Sequence, residues 1–172
     1  MAQMNTQPPS APLRPVAEPE MLLIFRLSGE VFAISVTCVH EILDPMPRTE
    51  VPNAPAFAPA LINVRGAVAP LVDIRQRLRM KAVPASEDAR VIVLELPVNG
   101  APTKLAMIAD SVDEVIEADL ATLEAIPDLG ARWPEIYVKG VARHNDGLVV
   151  LLDTETLFRP DPDGRASAEA RN

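Results

Sequence analysis

The stretch "INVRGAVAPLVDIRQRL", residues 62–78, places one charged side chain, Arg65, between Val64 and Gly66 at the head of an apolar run. Short, β-branched runs bounded by Gly, Pro, Asn and Asp read as strands. The same reading extends outward to "MLLIFRL" (21–27), "VFAISV" (31–36), "RVIVLEL" (90–96), "TKLAMIA" (103–109), "IYVKGVAR" (136–143) and "LVVLLD" (148–153). Ser28-Gly29-Glu30, Asn99-Gly100 and Asn145-Asp146-Gly147 stand where hairpin turns belong, because Gly and Asn tolerate the positive φ such turns need. Helices are few and brief: "DIRQRL" and "DTETLF", with Asp73 and Asp153 as their capping residues. The chain is mainly β.

The two halves echo each other. Val39-His40-Glu41-Ile42-Leu43 returns as Val112-Asp113-Glu114-Val115-Ile116, and Leu71-Val72-Asp73 returns as Leu151-Leu152-Asp153. Val64-Arg65-Gly66 is matched to Val138-Lys139-Gly140, which makes Gly66 and Gly140 equivalent structural turns. A duplication implies two small β units, lobe one over about residues 21–82 and lobe two over about 83–158. Each alone would bury only about 60% of its unfolded surface, so the two are expected to pack on one another. With few helices to cover a sheet face, closure of each sheet into a small barrel removes the exposed edges. Pro70 then belongs at an edge, a bulge or a barrel corner.

Residues 1–20 carry Pro8, Pro9, Pro12, Pro15 and Pro19 among small and polar residues, the composition of a disordered tail, and 159–172 reads as a second, flexible one. A net charge of −8 with 3% aromatic residues provides poorly for phosphate or base contacts, which argues against nucleic acid. No apolar stretch is long enough to span or insert in a bilayer, and the start lacks the pattern of a secretory signal. The expected location is the cytoplasm.

Catalytic chemistry is poorly provided for. Only His40 and His144 are available as imidazole bases; Cys38, two residues from His40, has no third orienting group and reads as a core cysteine beside a surface histidine. No metal-ligand spacing and no phosphate loop is present, so neither a metal nor a cofactor is expected, and the chain does not read as an enzyme. Arg65 keeps two readings: an internal ion pair with Asp73 or Glu41, or an interface anchor.

"NVRGAVAPLVDIRQRL" resembles the N-L-R-G-x-V-x-P-[VI]-x-D-[LI]-R-x-[RK]-[LF] signature of the CheW-like family. "LLIFRLSGEVFAISVTCVHEIL", "MIADSVDEVI" and "IYVKGVARHNDGLVVLLDTETLF" are similar to its other blocks, so the resemblance covers residues 21–158. It implies two SH3-like five-stranded β-barrels packed together. It also implies a non-catalytic adaptor that couples the cytoplasmic tip of a methyl-accepting chemoreceptor to the regulatory domain of the histidine kinase CheA. Val39, Glu41 and Arg65 would lie at the receptor groove. The isolated protein would be a monomer, recruited to membrane-bound arrays through its partners. A CheW-like adaptor of surface motility or development is the alternative, and a small-ligand carrier using the inter-lobe cleft a more distant one. The chain departs from the family at Ala60, where glycine is common; a positive φ there would be strained unless the turn is shifted. The "LPVNGAPTK" hairpin is longer than usual.

Overall fold

The computed structural model describes residues 19–126 and 133–160; the two expected tails fall almost wholly outside them. Among the described residues the strands are β1 Glu20–Leu27, β2 Glu30–Ser35, β3 Val39–Leu43, β4 Arg48–Glu50, β5 Ala60–Val64, β6 Ala67–Val72, β7 Arg90–Val98, β8 Ala101–Ala109, β9 Ser111–Ala118, β10 Val138–His144 and β11 Gly147–Leu152. Two one-turn helices follow β6 and β11: α1 Ile74–Arg77 and α2 Thr154–Leu157. Asp73 Oδ1 accepts from the Arg75 N–H at 3.1 Å and Asp153 Oδ1 from the Thr156 N–H at 3.2 Å, so each aspartate caps its helix.

The strands form two sheets, ordered β10-β11-β2-β1-β9 and β3-β7-β8-β6-β5-β4. Both are curled. In the second sheet β3 and β4 are opposite edges, yet only residues 44–47 join them. Five inter-strand steps of about 4.8 Å would put the edges of a flat sheet about 24 Å apart. Four linking residues reach only about 17 Å, so the sheet must bend until its edges approach. In the first sheet the chain leaves β9 at Ala118 and bridges to the far edge through Glu124, paired with Val141 of β10. The short β4 gives the second sheet a sixth strand beyond the five expected.

The lobes do not follow the halves of the chain. One barrel is continuous, from β3 through β8; the other is assembled from the hairpin β1–β2 and the distant β9–β11. Boundaries at about 21–82 and 83–158 are therefore replaced by 39–109 for one lobe and by 20–35 with 111–158 for the other. Each half of the chain gives its leading hairpin to one barrel and its remaining strands to the other. The parallel contacts β11–β2, with Leu151 opposite Ala33, and β6–β8, with Leu71 opposite Ala106, are the two matching seams. Pro70 sits one residue before the second seam, where its missing donor costs no bond to β8.

The duplication itself holds, strand for strand. Phe57 and Tyr137, Asp73 and Asp153, and Leu78 and Phe158 are each 80 residues apart, and the N–H of each capping aspartate donates at 2.8 Å to the carbonyl of its aromatic partner. This spacing corrects the match made on Gly140. The equivalent of Arg65-Gly66 is Asn145-Asp146, and Gly140 is the equivalent of Ala60. Gly140 lies inside β10, at a register shift, and forms no turn. Its absent side chain has another reason: a Cβ there would stand 3.0 Å from Leu123 Cβ and 3.1 Å from the Glu124 carbonyl oxygen, on the segment that closes the barrel. Gly140→Val is expected to destabilise the protein by about 1–3 kcal/mol through overpacking, read from urea unfolding. Ala60, opposite Glu50 of β4, is buried in β5 and is not among the positive-φ residues, so the feared strain is absent.

Three cores result. Leu22, Ile24, Ala33, Val149 and Leu151 fill one barrel, and Ala60, Ile62, Leu71, Val91 and Val93 are among those filling the other. The largest cluster lies between them and joins alternate residues of both exchanged hairpins, including Leu23, Phe25, Phe32, Ile34, Ile92, Leu94 and Met107, to Ile74, Leu78 and Leu157 of the helix regions. The hairpin strands are thus apolar on both faces, which is why they read as continuous runs rather than alternating ones.

Cys38 belongs to this central cluster, 7% exposed at the end of the 3₁₀ turn Val36–Cys38, with its thiol on the Ser35 carbonyl at 3.0 Å. Burial pushes its pKa up to about 11 from 9.0. Folding favours the protonated thiol, so this contribution is complete below the unfolded value and is lost as pH rises through the folded one. The thiol is expected to stay unmodified by a disulfide reagent at pH 8 in the native protein and to react at once in denaturant.

Candidate functional site

Four two-residue hairpin turns cap the barrels, and all four have positive φ at both central residues: Ser28 (49°) and Gly29 (81°), Arg65 (53°) and Gly66 (85°), Asn99 (51°) and Gly100 (80°), Asn145 (47°) and Asp146 (60°). Asn, Asp and Gly are the ordinary occupants of such turns. Arginine is not. A non-glycine residue held there costs about 1–3 kcal/mol unless its side chain hydrogen-bonds locally, as asparagine's does.

The β5–β6 turn is held by Asn63, whose Oδ1 accepts from the Gly66 N–H at 2.8 Å. Arg65 reaches back across the barrel mouth to β3, where its Nε donates to Glu41 Oε2 at 2.9 Å and lies 3.3 Å from Oε1. The pair is lopsided: the Arg65 side chain is 75% exposed and that of Glu41 only 17%. Asp73, the other candidate partner, pairs with Arg75 at 3.3 Å instead. Glu41 lies opposite Val93, a core residue of the continuous barrel, so the carboxylate is anchored at the mouth. Val39 starts the same strand opposite Leu94 and packs against the central cluster, while Glu41 and Arg65 touch each other.

Two exposed apolar residues that the sequence reading passed over lie on β6 and β3, close along the chain to this pair. Val68, two places after Gly66, is 69% exposed, and Ile42, next to Glu41, is 40% exposed. Val68 had merged into an apolar run and Ile42 into the repeated Val39–Leu43 block; the signal for Ile42 was strand alternation, which turns it away from the side of Glu41 and Leu43. Their equivalents in the other barrel, Leu148 and Val115, are also exposed.

The second mouth repeats the geometry with different chemistry. Glu114, the equivalent of Glu41, lies 2.7 Å from His144 Nε2 and accepts from Asn145 Nδ2 at 3.5 Å. Arg143 donates through Nε to Glu124 Oε1 at 2.9 Å; that hydrogen bond first, and the guanidinium charge second, hold the Glu124 carboxyl below the ordinary range.

Clefts open where a hairpin tip of one barrel meets the turn after the helix beside it. One, of about 420 Å³, is lined by residues including Ser28, Glu30, Arg79, Lys81 and Trp133; the other, of about 290 Å³, by Leu96, Val98, Thr154, Phe158 and Arg159 among others. Neither brings together a nucleophile, a base and an orienting group. Cys38 and His40 are separated, the thiol buried and the imidazole exposed, 3.7 Å from Glu95. Among the described residues no three His, Cys, Asp or Glu side chains converge on a metal position, and no helix is long and apolar enough to cross a membrane.

Comparison with known proteins agrees with this architecture. Residues 21–161 match the CheW-like domain model. The chemotaxis protein CheW of Rhizobium meliloti is 28% identical over 137 residues, covering 80% of this chain and 86% of the relative. That of Bacillus subtilis is 24% identical over 139 residues, covering 81% and 86%. Among solved structures, the scaffolding protein TtCheW from Thermoanaerobacter tengcongensis superposes with a TM-score of 0.72 at 25% identity, covering 94% of this chain and 96% of its own.

Proposed function

The chain belongs to the CheW-like domain family of chemotaxis scaffold proteins, and from that premise we propose that it is a non-catalytic adaptor gripped at separate faces by two partners. One partner is the cytoplasmic tip of a methyl-accepting chemoreceptor, seated against Val39, Glu41 and Arg65. The other is the regulatory domain of the histidine kinase CheA. The protein works in the cytoplasm, brought to receptor arrays by these contacts.

The observation that carries the reading is Arg65. Its backbone conformation suits asparagine or glycine, and its side chain lies exposed across the barrel mouth. A residue kept at a conformational cost without burying itself points to an external contact. The exposed aliphatic side chains supply area for a helical hairpin, and the charged pair supplies register.

Co-purification with the tagged full chain tests this. A chemoreceptor and a CheA-type kinase are expected to travel with it, and which ones do will assign it to chemotaxis, surface motility or development. Recovery of neither, together with thermal stabilisation by a metabolite seated in an inter-lobe cleft, would overturn the proposal.

A further inference from the structure

The division of labour within the Glu41–Arg65 pair points to the chemistry of what docks there. Arg65 commits its Nε, the inner nitrogen of the fork, to Glu41. Among the described residues Glu41 is its one ion-pair partner, so the two terminal nitrogens face outward from a side chain that is 75% exposed. A guanidinium held by its inner edge presents its outer edge as two parallel donors, which is the geometry that a carboxylate accepts. Glu41, only 17% exposed and fixed on a strand backed by Val93, does not itself offer comparable surface to a partner. A docked partner that covers this edge excludes water from it, and a charge-assisted pair gains most where water is excluded.

We propose that Glu41 is a positioning residue that aims Arg65, and that the docking partner meets Arg65 with an aspartate or glutamate carboxylate. This rests on the reading of the mouth as the receptor site. It adds that Arg65 acts by its outer edge and that Glu41 acts through Arg65. Lysine at position 65 would keep the charge and lose both the latch and the paired donors.

Titration calorimetry of the full chain with a chemoreceptor cytoplasmic fragment tests it. Arg65→Lys is expected to weaken binding about tenfold, against about thirtyfold for Arg65→Asn. Glu41→Gln is expected to weaken it about fivefold in the native background and not at all in the Arg65→Asn background. Neutralising the acidic residues of the fragment tip one at a time should reveal one whose loss is likewise silent against Arg65→Asn. If Arg65→Lys binds like the native protein while Arg65→Asn does not, or if every acidic substitution adds to Arg65→Asn, the inference fails and the receptor site stands. If Glu41→Gln costs as much in the Arg65→Asn background as in the native one, its role is structural and the inference also fails. If Arg65→Asn itself binds normally, the site assignment falls.

Discussion

Arg65→Asn is expected to leave the melting temperature unchanged or slightly raised while weakening binding to a chemoreceptor cytoplasmic fragment about thirtyfold, near 2 kcal/mol. Asparagine is the informative choice because Asn145 occupies the equivalent place in the other barrel, in a turn of the same kind with φ of 47°. On the stability side two terms oppose each other. Relief of backbone strain contributes about 1 kcal/mol or more, and loss of an ion pair whose arginine is three-quarters exposed costs about 0–1 kcal/mol. On the binding side nothing offsets the loss, because the short amide cannot reach where the guanidinium ends. Calorimetric melting alongside titration with the fragment checks both arms. A large drop in melting temperature with affinity intact would make Arg65 a structural latch.

Phe32→Ala is expected to cost about 3–5 kcal/mol, the largest loss named here, and to lower both barrels together. Phe32 is fully buried in the exchanged hairpin, with its ring 6.0 Å from that of Phe25 and edge-on to Trp133 at 5.7 Å. It is a member of the central cluster, to which β1, β2, β7 and β8 all contribute. Neither barrel owns that cluster, and each barrel lacks a hairpin if its half of the chain is taken alone. Guanidinium unfolding followed by far-ultraviolet dichroism and by Trp133 fluorescence should therefore give one coincident transition in the native protein and in the variant. Two separated transitions would show that the continuous barrel, residues 39–109, is stable without the other.

The hairpin turns at Ser28-Gly29, Asn99-Gly100 and Asn145-Asp146 were legible because those residue types announce positive φ. At Arg65-Gly66 the glycine announced the turn, whereas arginine announces no positive φ, and that mismatch is what singles out Arg65. Asp73 and Asp153 were readable as caps from their place before short helical segments. The exchange of hairpins left no trace in the residues: strands buried on both faces carry no period that tells one sheet from another, and β2 passes to the other barrel through a mere three-residue 3₁₀ turn, Val36–Cys38. The false equivalence of Gly66 and Gly140 arose because two glycines were compared as letters. Gly66 supplies a left-handed backbone, while Gly140 makes room for Leu123 and Glu124. Of the three residues expected at the groove, Glu41 and Arg65 were found in contact because their partnership crosses a barrel mouth that the family signature implies. The exposure of Ile42 and Val68 was hidden by their own apolar character.

Light scattering of the full chain mixed with a chemoreceptor cytoplasmic fragment and the regulatory domain of a CheA-type kinase puts the adaptor role to its most direct test. Simultaneous binding predicts a particle containing all three, with affinity for the kinase domain unaffected by Arg65→Asn and affinity for the fragment weakened about thirtyfold. Mutual exclusion of the two partners, or a mixture in which the chain stays alone, would contradict it.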